Sequence, residues 1–197
     1  MTNAAERDGV ARTRAIHLAA LSLLLASLGV AGCGKGEIDM PTSDVTIRLS
    51  SPTFQDGETI PKQYTADGKG VSPPLKWADP PGGTKSFALV CDDPDAPMGT
   101  FTHWLLYDLP PERRELDEGV PASETTAGGA KQGKNDFGKV GYGGPAPPAG
   151  KPHRYYFHLY ALDAKLDVPA GSGRKQLADA MKGHVLAEGR LMGRYGR

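Results

Sequence analysis

The chain has 197 residues, and its 23 lysine and arginine side chains are balanced by 23 aspartate and glutamate side chains. This balance, with no basic patch, gives no electrostatic reason to expect a nucleic-acid partner. The 26 glycines and 17 prolines favour a domain rich in strands and loops over a helical bundle. Without its N-terminal leader the chain is still long enough for one domain with a substantial core.

The first 32 residues have the order of a bacterial export signal. Basic residues up to Arg14 precede an apolar run from Leu18 to Val30, which is too short for a comfortable membrane span. The following residues, VAGC, resemble the lipobox of bacterial lipoproteins, in which the cysteine becomes the lipidated first residue. We therefore predict a lipoprotein signal peptide over residues 1–32 and lipidation at Cys33. The alternative is an ordinary signal peptide with an incidental cysteine.

Residues 33–43 form a short polar stretch that suits a lipidated tether between a membrane and a domain over residues 44–197. The predicted location is the bacterial cell envelope, and Gly34 beside the cysteine favours the outer membrane. If Cys33 carries lipid, Cys91 has no disulfide partner. Cys91 ends an apolar run that begins at Phe87, so we interpret it as a small buried hydrophobic residue.

Three segments in the first half of the domain have the pattern of strands. Val45, Ile47 and Leu49 alternate with polar residues, which predicts a strand with one buried face. The continuous apolar run in Ser86 to Asp92 predicts a buried central strand. The next strand begins at Phe101, and its period of two places Phe101, His103, Leu105 and Tyr107 on one face and Thr102, Trp104 and Leu106 on the other.

Two later segments are harder to assign from pattern. Leu109 to Val140 is polar, rich in glycine and without sustained periodicity, so we predict a partly ordered flap. Arg174 to Glu188 has apolar residues at helical spacing, with Gly189 as a stop, which predicts a C-terminal helix packed on the sheet.

Between these segments, Gly141 to Asp163 joins a stiff glycine and proline loop to an aromatic strand. Arg154 points away from the loop side by parity, so we expect it in a structural ion pair or bonded to loop carbonyl groups. Alternation along the strand puts His153, Tyr155 and Phe157 on one face and Arg154, Tyr156 and His158 on the other.

Four motifs, DPDAP at residues 93–97, His103-Trp104, GYGGPAPPAG at residues 141–150 and His153-Arg154-Tyr155, resemble the phosphatidylethanolamine-binding protein family. More narrowly they are similar to its bacterial Raf-kinase-inhibitor-like branch, and the likeness extends from near Ser51 to the C-terminus. It implies a mostly β fold, with a large antiparallel sheet packed on a second sheet and a few peripheral helices, one of them near the C-terminus. It also implies a small surface pocket for phosphate-like anions.

The resemblance also implies which residues form that pocket. Relatives often carry cysteine where this chain has Ala146, a difference that removes any thiol chemistry at the pocket rim. Carried over by motif position, the pocket residues are Asp93, Asp95, Ala96, Pro97, His103, Gly144, Pro147, Pro148, His153 and Tyr155.

The chemistry of these residues is consistent with anion binding. Two imidazoles at neighbouring strand ends can each donate to a phosphate oxygen, and Asp93 can hold one of them in a single tautomer while favouring its charged form. We therefore expect affinity to be strongest under mildly acidic conditions and to fall as the pH rises. Because the site is expected at the surface, single histidine substitutions should hardly affect folding.

Catalysis is not expected. The chain has neither an HExxH metal signature nor a GxSxG nucleophile elbow, and residues 128–135, GGAKQGKN, lack the serine or threonine of a phosphate-binding P-loop. We therefore predict no catalytic residue, no metal ligand and no cofactor. Two non-enzymatic functions stay open: a pocket for a small anionic ligand or phospholipid headgroup, and a protein inhibitor or scaffold, of the kinase-inhibitor or protease-inhibitor kind, that acts through the pocket rim.

Overall fold

A computed structural model describes residues 38–197, so the predicted signal peptide and Cys33 lie outside the described residues. No helix in residues 38–197 is long and apolar enough to cross a membrane. The elements are β1 (Arg48–Ser50), a 3-10 turn (Lys62–Tyr64), β2 (Leu75–Ala78), β3 (Ser86–Asp93), β4 (Phe101–Leu109), β5 (Glu115–Leu116), β6 (Lys131–Gln132), β7 (His153–Leu162), α1 (Arg174–Met181) and β8 (Val185–Tyr195).

The larger sheet has five strands in the order β6-β4-β3-β7-β8, and all of its neighbouring pairs are antiparallel. β3 lies at its centre, and all eight residues of β3 are buried because both faces of the sheet are covered. An uninterrupted apolar run is the composition that such a doubly covered strand requires. The predicted central strand is therefore confirmed.

The smaller sheet has the order β1-β2-β5 and packs on one face of the larger sheet. Its Leu49, Leu75 and Trp77 join Phe87 and Phe157 of the larger sheet in one buried cluster, which we call the inner core. The edge of the Trp77 ring contacts Phe87, with ring centroids 5.5 Å apart. Two antiparallel sheets and a single α-helix within residues 38–197 confirm the predicted fold class.

The opposite face of the larger sheet is covered by α1, whose Leu177 and Met181 pack with Leu105, Tyr107 and Tyr160 in a second cluster, the outer core. The helix predicted from Arg174 to Glu188 is wrong in its second half, because α1 ends at Met181. Gly183 then takes a φ of +78°, which turns the chain back, and β8 begins at Val185.

The face assignment predicted for β4 is also wrong, and the cause is a β-bulge. Cys91 pairs with Trp104 and Asp92 pairs with Thr102, so His103 is an extra residue with no partner in β3. The bulge reverses the alternation on either side of it. Trp104 and Leu106 therefore belong to the inner core, Leu105 and Tyr107 belong to the outer core, and His103 turns toward the inner side against Tyr155.

The segment from Leu109 to Val140 is fixed rather than flap-like, because polar side chains bind it to the sheet. The buried Gln132 accepts a hydrogen bond from the Trp104 indole at 2.7 Å and donates to the carbonyl groups of Pro121 and Ser123 at 2.7 and 2.8 Å. A loop without internal periodicity can thus be ordered by side-chain bonds to its own carbonyl groups.

The N-terminal part of the described chain also packs on the domain before the predicted boundary at Asp44. The Ile38 carbonyl accepts a bond from Arg174 at 3.3 Å, Met40 packs on the outer core, and the Ser43 hydroxyl donates to the Leu186 carbonyl at 3.0 Å. Val45 is 52% exposed, so only the later part of the first predicted strand is buried.

Candidate functional site

One end of the larger sheet collects polar side chains from three strands. β3 ends at Asp93, which pairs with Phe101 at the start of β4, and β7 begins nearby at His153. Because these strands are antiparallel neighbours, their ends meet at the same edge of the sheet. Asp93, His103, His153 and Tyr155 are consequently brought together, as the sequence analysis expected of the pocket.

The Asp93 carboxylate holds the His153 imidazole in one orientation. The distance from His153 Nδ1 to Asp93 Oδ2 is 2.8 Å, and the residues are only 9% and 3% exposed. A carboxylate only accepts, so Nδ1 carries a proton and Nε2 is the atom left for other contacts. The second carboxylate oxygen accepts from the Asp95 backbone amide at 2.8 Å, which fixes the loop after β3.

His103 is held by the glycine-rich loop. Its Nδ1 donates to the Gly143 carbonyl at 2.7 Å, and the Gly143 amide donates to the His103 carbonyl at 2.8 Å. The rings of Phe101, Phe137 and Tyr155 surround the imidazole, with centroids 5.2, 5.4 and 5.1 Å away. Burial lowers the pKa of His103 below its usual value, although the Gly143 carbonyl and the Asp93 charge oppose that shift.

The Tyr155 hydroxyl is buried close to the Asp93 carboxylate. Its side chain is fully buried, and its hydroxyl makes no hydrogen bond of standard geometry within residues 38–197, although Asp93 lies close enough to interact with it. Burial, and then the negative charge of Asp93, raise the pKa of this hydroxyl well above its usual value, so it remains a donor. Buried hydroxyl groups are normally paired, and an unpaired one beside a cleft is typical of a place that a ligand or water completes.

The glycine and proline loop has no room for larger residues. A Cβ on Gly144 would lie 2.8 Å from the Ala66 backbone nitrogen, and the Ala66 amide donates to the Pro145 carbonyl at 3.0 Å. The Tyr142 hydroxyl donates to the Tyr64 carbonyl at 2.8 Å. These contacts fasten the loop to the 3-10 turn, so it forms a stiff wall beside the histidines.

A surface cleft of about 320 Å³ lies at this end of the sheet. Asp95, Pro148 and His153 from the predicted set line it. Asp93 is bonded to the lining residue His153, whereas His103 and Tyr155 are not among the lining residues. Residues Ala149, Lys151 and Pro152 complete the lining.

Four other predicted pocket residues lie in the two loops beside the cleft. Ala96 and Pro97 form the turn after Asp95, closed by a bond from the Gly99 amide to the Ala96 carbonyl at 3.1 Å. Gly144 and Pro147 belong to the loop wall, and the Pro147 carbonyl accepts from Arg197 at 3.3 Å. None of these four lines the cleft.

The negative charge of Asp95 is paired with the guanidinium of Arg154. The Arg154 guanidinium grips both of its oxygens at 2.6 and 2.9 Å, and the Arg154 amide adds a bond at 2.9 Å. This guanidinium lowers the pKa of Asp95 to about 2. The structural ion pair expected for Arg154 is confirmed, and it neutralises a carboxylate that would otherwise repel anions.

Two features of the site departed from the sequence analysis. The histidines are buried rather than exposed, since His103 is 3% and His153 is 9% accessible. Lys151 was also missed, although it lies between the two motifs, two residues before His153, and lines the cleft. A lysine beside a histidine at a loop-to-strand junction is the signal that could have identified it.

Comparison with known proteins then assigns the chain to a family. The model of that family, described as phosphatidylethanolamine-binding protein, matches residues 50–196 and so includes both histidine motifs. The chain belongs to the phosphatidylethanolamine-binding protein family. Relatives include UPF0098 proteins of Aquifex aeolicus, 52% identical over 77% of this chain and 89% of that protein, and of Methanothermobacter thermautotrophicus, 48% identical over 77% and 99%.

Solved structures of the same family have the same architecture. A phosphatidylethanolamine-binding protein homologue of Chlamydia trachomatis is 41% identical, with a TM-score of 0.71, over 77% of this chain and 98% of its own. Escherichia coli YbcL, described as a new member of the mammalian family, is 31% identical with a TM-score of 0.73, over 78% and 99%.

A larger groove of about 660 Å³ lies away from this family motif, along Leu109 to Val120 and Thr126 to Ala130. Its lining mixes apolar residues with charges of both signs and contains no histidine. Because no buried polar group converges on it, the smaller cleft is the stronger candidate for a specific ligand.

Proposed function

We propose that this member of the family is a non-enzymatic binding protein whose cleft holds a phosphate-like anionic group, carried by a phospholipid headgroup or a phosphorylated ligand. The observation that carries the proposal is the fully buried Tyr155 hydroxyl, which makes no hydrogen bond of standard geometry, beside two imidazoles that are each fixed through Nδ1. Each imidazole keeps Nε2, and Tyr155 keeps its hydroxyl, for a ligand.

The charges around the cleft support an anion rather than a cation. Asp95 is neutralised by Arg154, and the Asp93 carboxylate is bonded to the His153 ring, which balances its charge when the ring is protonated. Lys151 adds an ammonium group that has no ion-pair partner among residues 38–197. A ligand carboxylate or phosphate could therefore accept from Lys151, from Tyr155 and from a protonated imidazole.

Binding is favoured over catalysis by what lines the cleft. Its lining residues include no serine, threonine or cysteine that could act as a nucleophile. Cys91 is fully buried, and burial raises the pKa of its thiol well above the usual value, which keeps it unreactive. His153 and Asp93 thus resemble the orienting part of a catalytic triad without the attacking group.

We further propose that the protein is a lipoprotein of the bacterial cell envelope, anchored through Cys33, with the outer membrane favoured. The support is the order of basic, apolar and small residues before that cysteine. An anchored domain would encounter lipid headgroups at high local concentration, which suits a cleft for their phosphate groups.

Calorimetry with inorganic phosphate and with phosphoethanolamine tests the binding proposal on the detergent-solubilised full-length protein. His153→Gln should weaken binding roughly tenfold or more, because a charge-assisted hydrogen bond is lost. The matched control is His184→Gln, since His184 makes the same contact with Asp163, at 2.7 Å, on an exposed surface elsewhere. Equal affinities in the two variants would contradict the proposal.

A further inference from the structure

Large apolar side chains are rarely exposed in this domain, and two of the exceptions lie at the cleft end of the larger sheet. Within residues 38–197 they are Val45, Met98 and Phe137, at 52%, 89% and 45% exposure. Met98 lies in the loop between β3 and β4, three residues after the cleft residue Asp95. The Phe137 ring packs on Phe101, with centroids 4.7 Å apart, and reaches the His103 ring at 5.4 Å.

A rigid turn presents Phe137 to the outside. The Asn135 side-chain oxygen accepts from the Phe137 and Lys139 amides, both at 3.1 Å, and its side-chain nitrogen donates to the Gly141 carbonyl at 2.9 Å. Lys134 pairs with Val140 across the turn. A side chain that is held outward by this many bonds is not exposed through local disorder.

Basic groups surround this exposed ring. Lys134 and Lys139 flank Phe137, both are exposed, and neither has an ion-pair partner among residues 38–197. The intervening carboxylate of Asp136 accepts from the Thr102 amide at 2.7 Å. An exposed aromatic residue between free lysines is the composition of a surface that enters the interface of an anionic bilayer.

The described chain begins at the same end of the sheet as the cleft. The Ile38 carbonyl is bound by Arg174, whose guanidinium also forms an ion pair with Asp92. Asp92 precedes Asp93 in β3, and the two side chains lie on opposite faces of one strand. From Ile38 the chain runs away toward Leu186, near the other end of β8.

This exit point limits how far the domain can lie from an anchor at Cys33. Five residue steps separate Cys33 from Ile38, and at about 3.5 Å each they span at most roughly 17 Å. A lipid at Cys33 would therefore keep Ile38, and with it the cleft end of the sheet, within that distance of the bilayer.

We infer that Met98, Phe137, Lys134 and Lys139 form a membrane-contacting surface that seats the cleft end of the domain on an anionic bilayer. The inference uses the lipid anchor of the proposed function, but it does not require any ligand in the cleft. Met98 and Phe137 enter the headgroup boundary at the cleft end of the domain, and the two lysines bind anionic headgroups.

The test uses the full-length protein reconstituted in vesicles of phosphatidylethanolamine and phosphatidylglycerol. Met98→Cys and Phe137→Cys variants are labelled with an environment-sensitive dye, and lipids with a nitroxide near the headgroup serve as quenchers. Lys165→Cys is the matched control, because Lys165 is exposed and follows the opposite end of β7. The unsubstituted protein gives the background from Cys33 and the buried Cys91.

We expect several-fold stronger quenching at positions 98 and 137 than at position 165, and weaker quenching at 137 when Lys134→Glu and Lys139→Glu are added. Equal quenching at all three positions, or none at 98 and 137, would overturn the inference. A label shielded from water but not quenched by lipid would indicate a protein partner and would also overturn it. Labelling of Cys33 by the dye would show that its thiol is free and would contradict the lipid anchor. The membrane-contacting surface would still be decided by the quenching at positions 98 and 137.

Discussion

Asp92 and Asp93 are neighbours in β3, yet they serve different purposes because their partners differ. Asp92 faces the outer side, where it meets the Arg174 guanidinium, and Asp93 faces the inner side, where it meets His153. Both carboxylates are buried, at 4% and 3% exposure. The Asp92 contact is a buried ion pair that fastens the fold, whereas the Asp93 contact is a buried hydrogen bond that orients a histidine of the site.

The two pairs differ in what else the partner of the carboxylate contacts. Arg174 also contacts the Ile38 carbonyl and Thr102, so it joins α1, β4 and the N-terminal segment. His153 has only two ring nitrogens, and its bond to Asp93 leaves Nε2 next to the cleft. A buried carboxylate thus becomes part of a binding site when its partner retains a polar atom that faces solvent.

The largest expected effect comes from breaking the Asp92 pair. Arg174→Met leaves a buried carboxylate without its cation, which should lower the free energy of unfolding by about 3–5 kcal/mol. Urea unfolding of the full-length protein in detergent measures the loss. Arg190→Met is the control, because Arg190 is exposed and its guanidinium lies over the Tyr156 ring, 5.3 Å from the ring centroid.

The pH dependence of this loss has a definite sign. Burial already raises the pKa of Asp92, and the Arg174 charge only partly opposes that shift. Without Arg174 the pKa rises further, so the folded state keeps a proton that the unfolded state releases. The variant should therefore be less destabilised near pH 4 than at neutral pH, and the opposite trend would contradict the assignment.

The sequence predicted most of this arrangement because the governing patterns were local. The buried run of β3 and the loop-to-strand junction at His153 both have compositions that leave few alternatives. The helix assigned to Arg174 to Glu188 failed because Val185 fits a spacing of four after Met181 as well as it fits the first position of β8. Only the turn at Gly183 distinguishes the two, and one glycine is a weak signal.

The position of His103 could not be predicted for a different reason. Alternation assumes that each residue of β4 has one partner in β3, and the bulge adds a residue without changing composition. The bulge turns His103 to the inner side, where Tyr155 and the Gly143 carbonyl meet it. The functional group therefore lies where regular strand geometry fails, which sequence periodicity does not record.

A second prediction concerns His103, on the inner side of the sheet with Asp93, and the pH dependence of anion binding. Burial lowers its pKa, so the ring is neutral at neutral pH and its Nε2 accepts rather than donates. A fully ionised anion such as sulfate only accepts hydrogen bonds, so His103 must take up a proton from solvent before its Nε2 can donate to the anion. Sulfate affinity should rise roughly tenfold as the pH falls from neutral through the lowered pKa, a lower range than the sequence analysis expected.

Stability should change in the opposite direction over the same range. A histidine with a lowered folded pKa contributes stability above about pH 6.5, and that contribution is lost as the pH falls.

His103→Asn should flatten the acid limb of sulfate binding in calorimetry. The control is His158→Asn, which should leave that limb unchanged because His158 lies on the outer face against Glu188. A sulfate profile that is identical in the His103 variant and the unsubstituted protein would remove this ring from the site.

The smallest expected effect, and the one that best separates site from scaffold, comes from Tyr155→Phe. The hydroxyl makes no hydrogen bond of standard geometry within residues 38–197, so its removal deletes a buried polar group at little cost to the fold. Unfolding free energy should stay unchanged or rise by up to about 1 kcal/mol, while phosphate affinity falls roughly fivefold. The matched control is Tyr142→Phe, whose hydroxyl does donate to the Tyr64 carbonyl at 2.8 Å and whose loss should destabilise the fold.

These opposite signs distinguish the two explanations of an unpaired buried hydroxyl. If it were only a packing imperfection, Tyr155→Phe would be stabilised and would bind phosphate as the unsubstituted protein does. If it had an unrecorded structural role, the variant would lose stability, as Tyr142→Phe should. Only a group reserved for a ligand gives weaker binding with no cost to folding, because the group's single favourable contact forms in the complex.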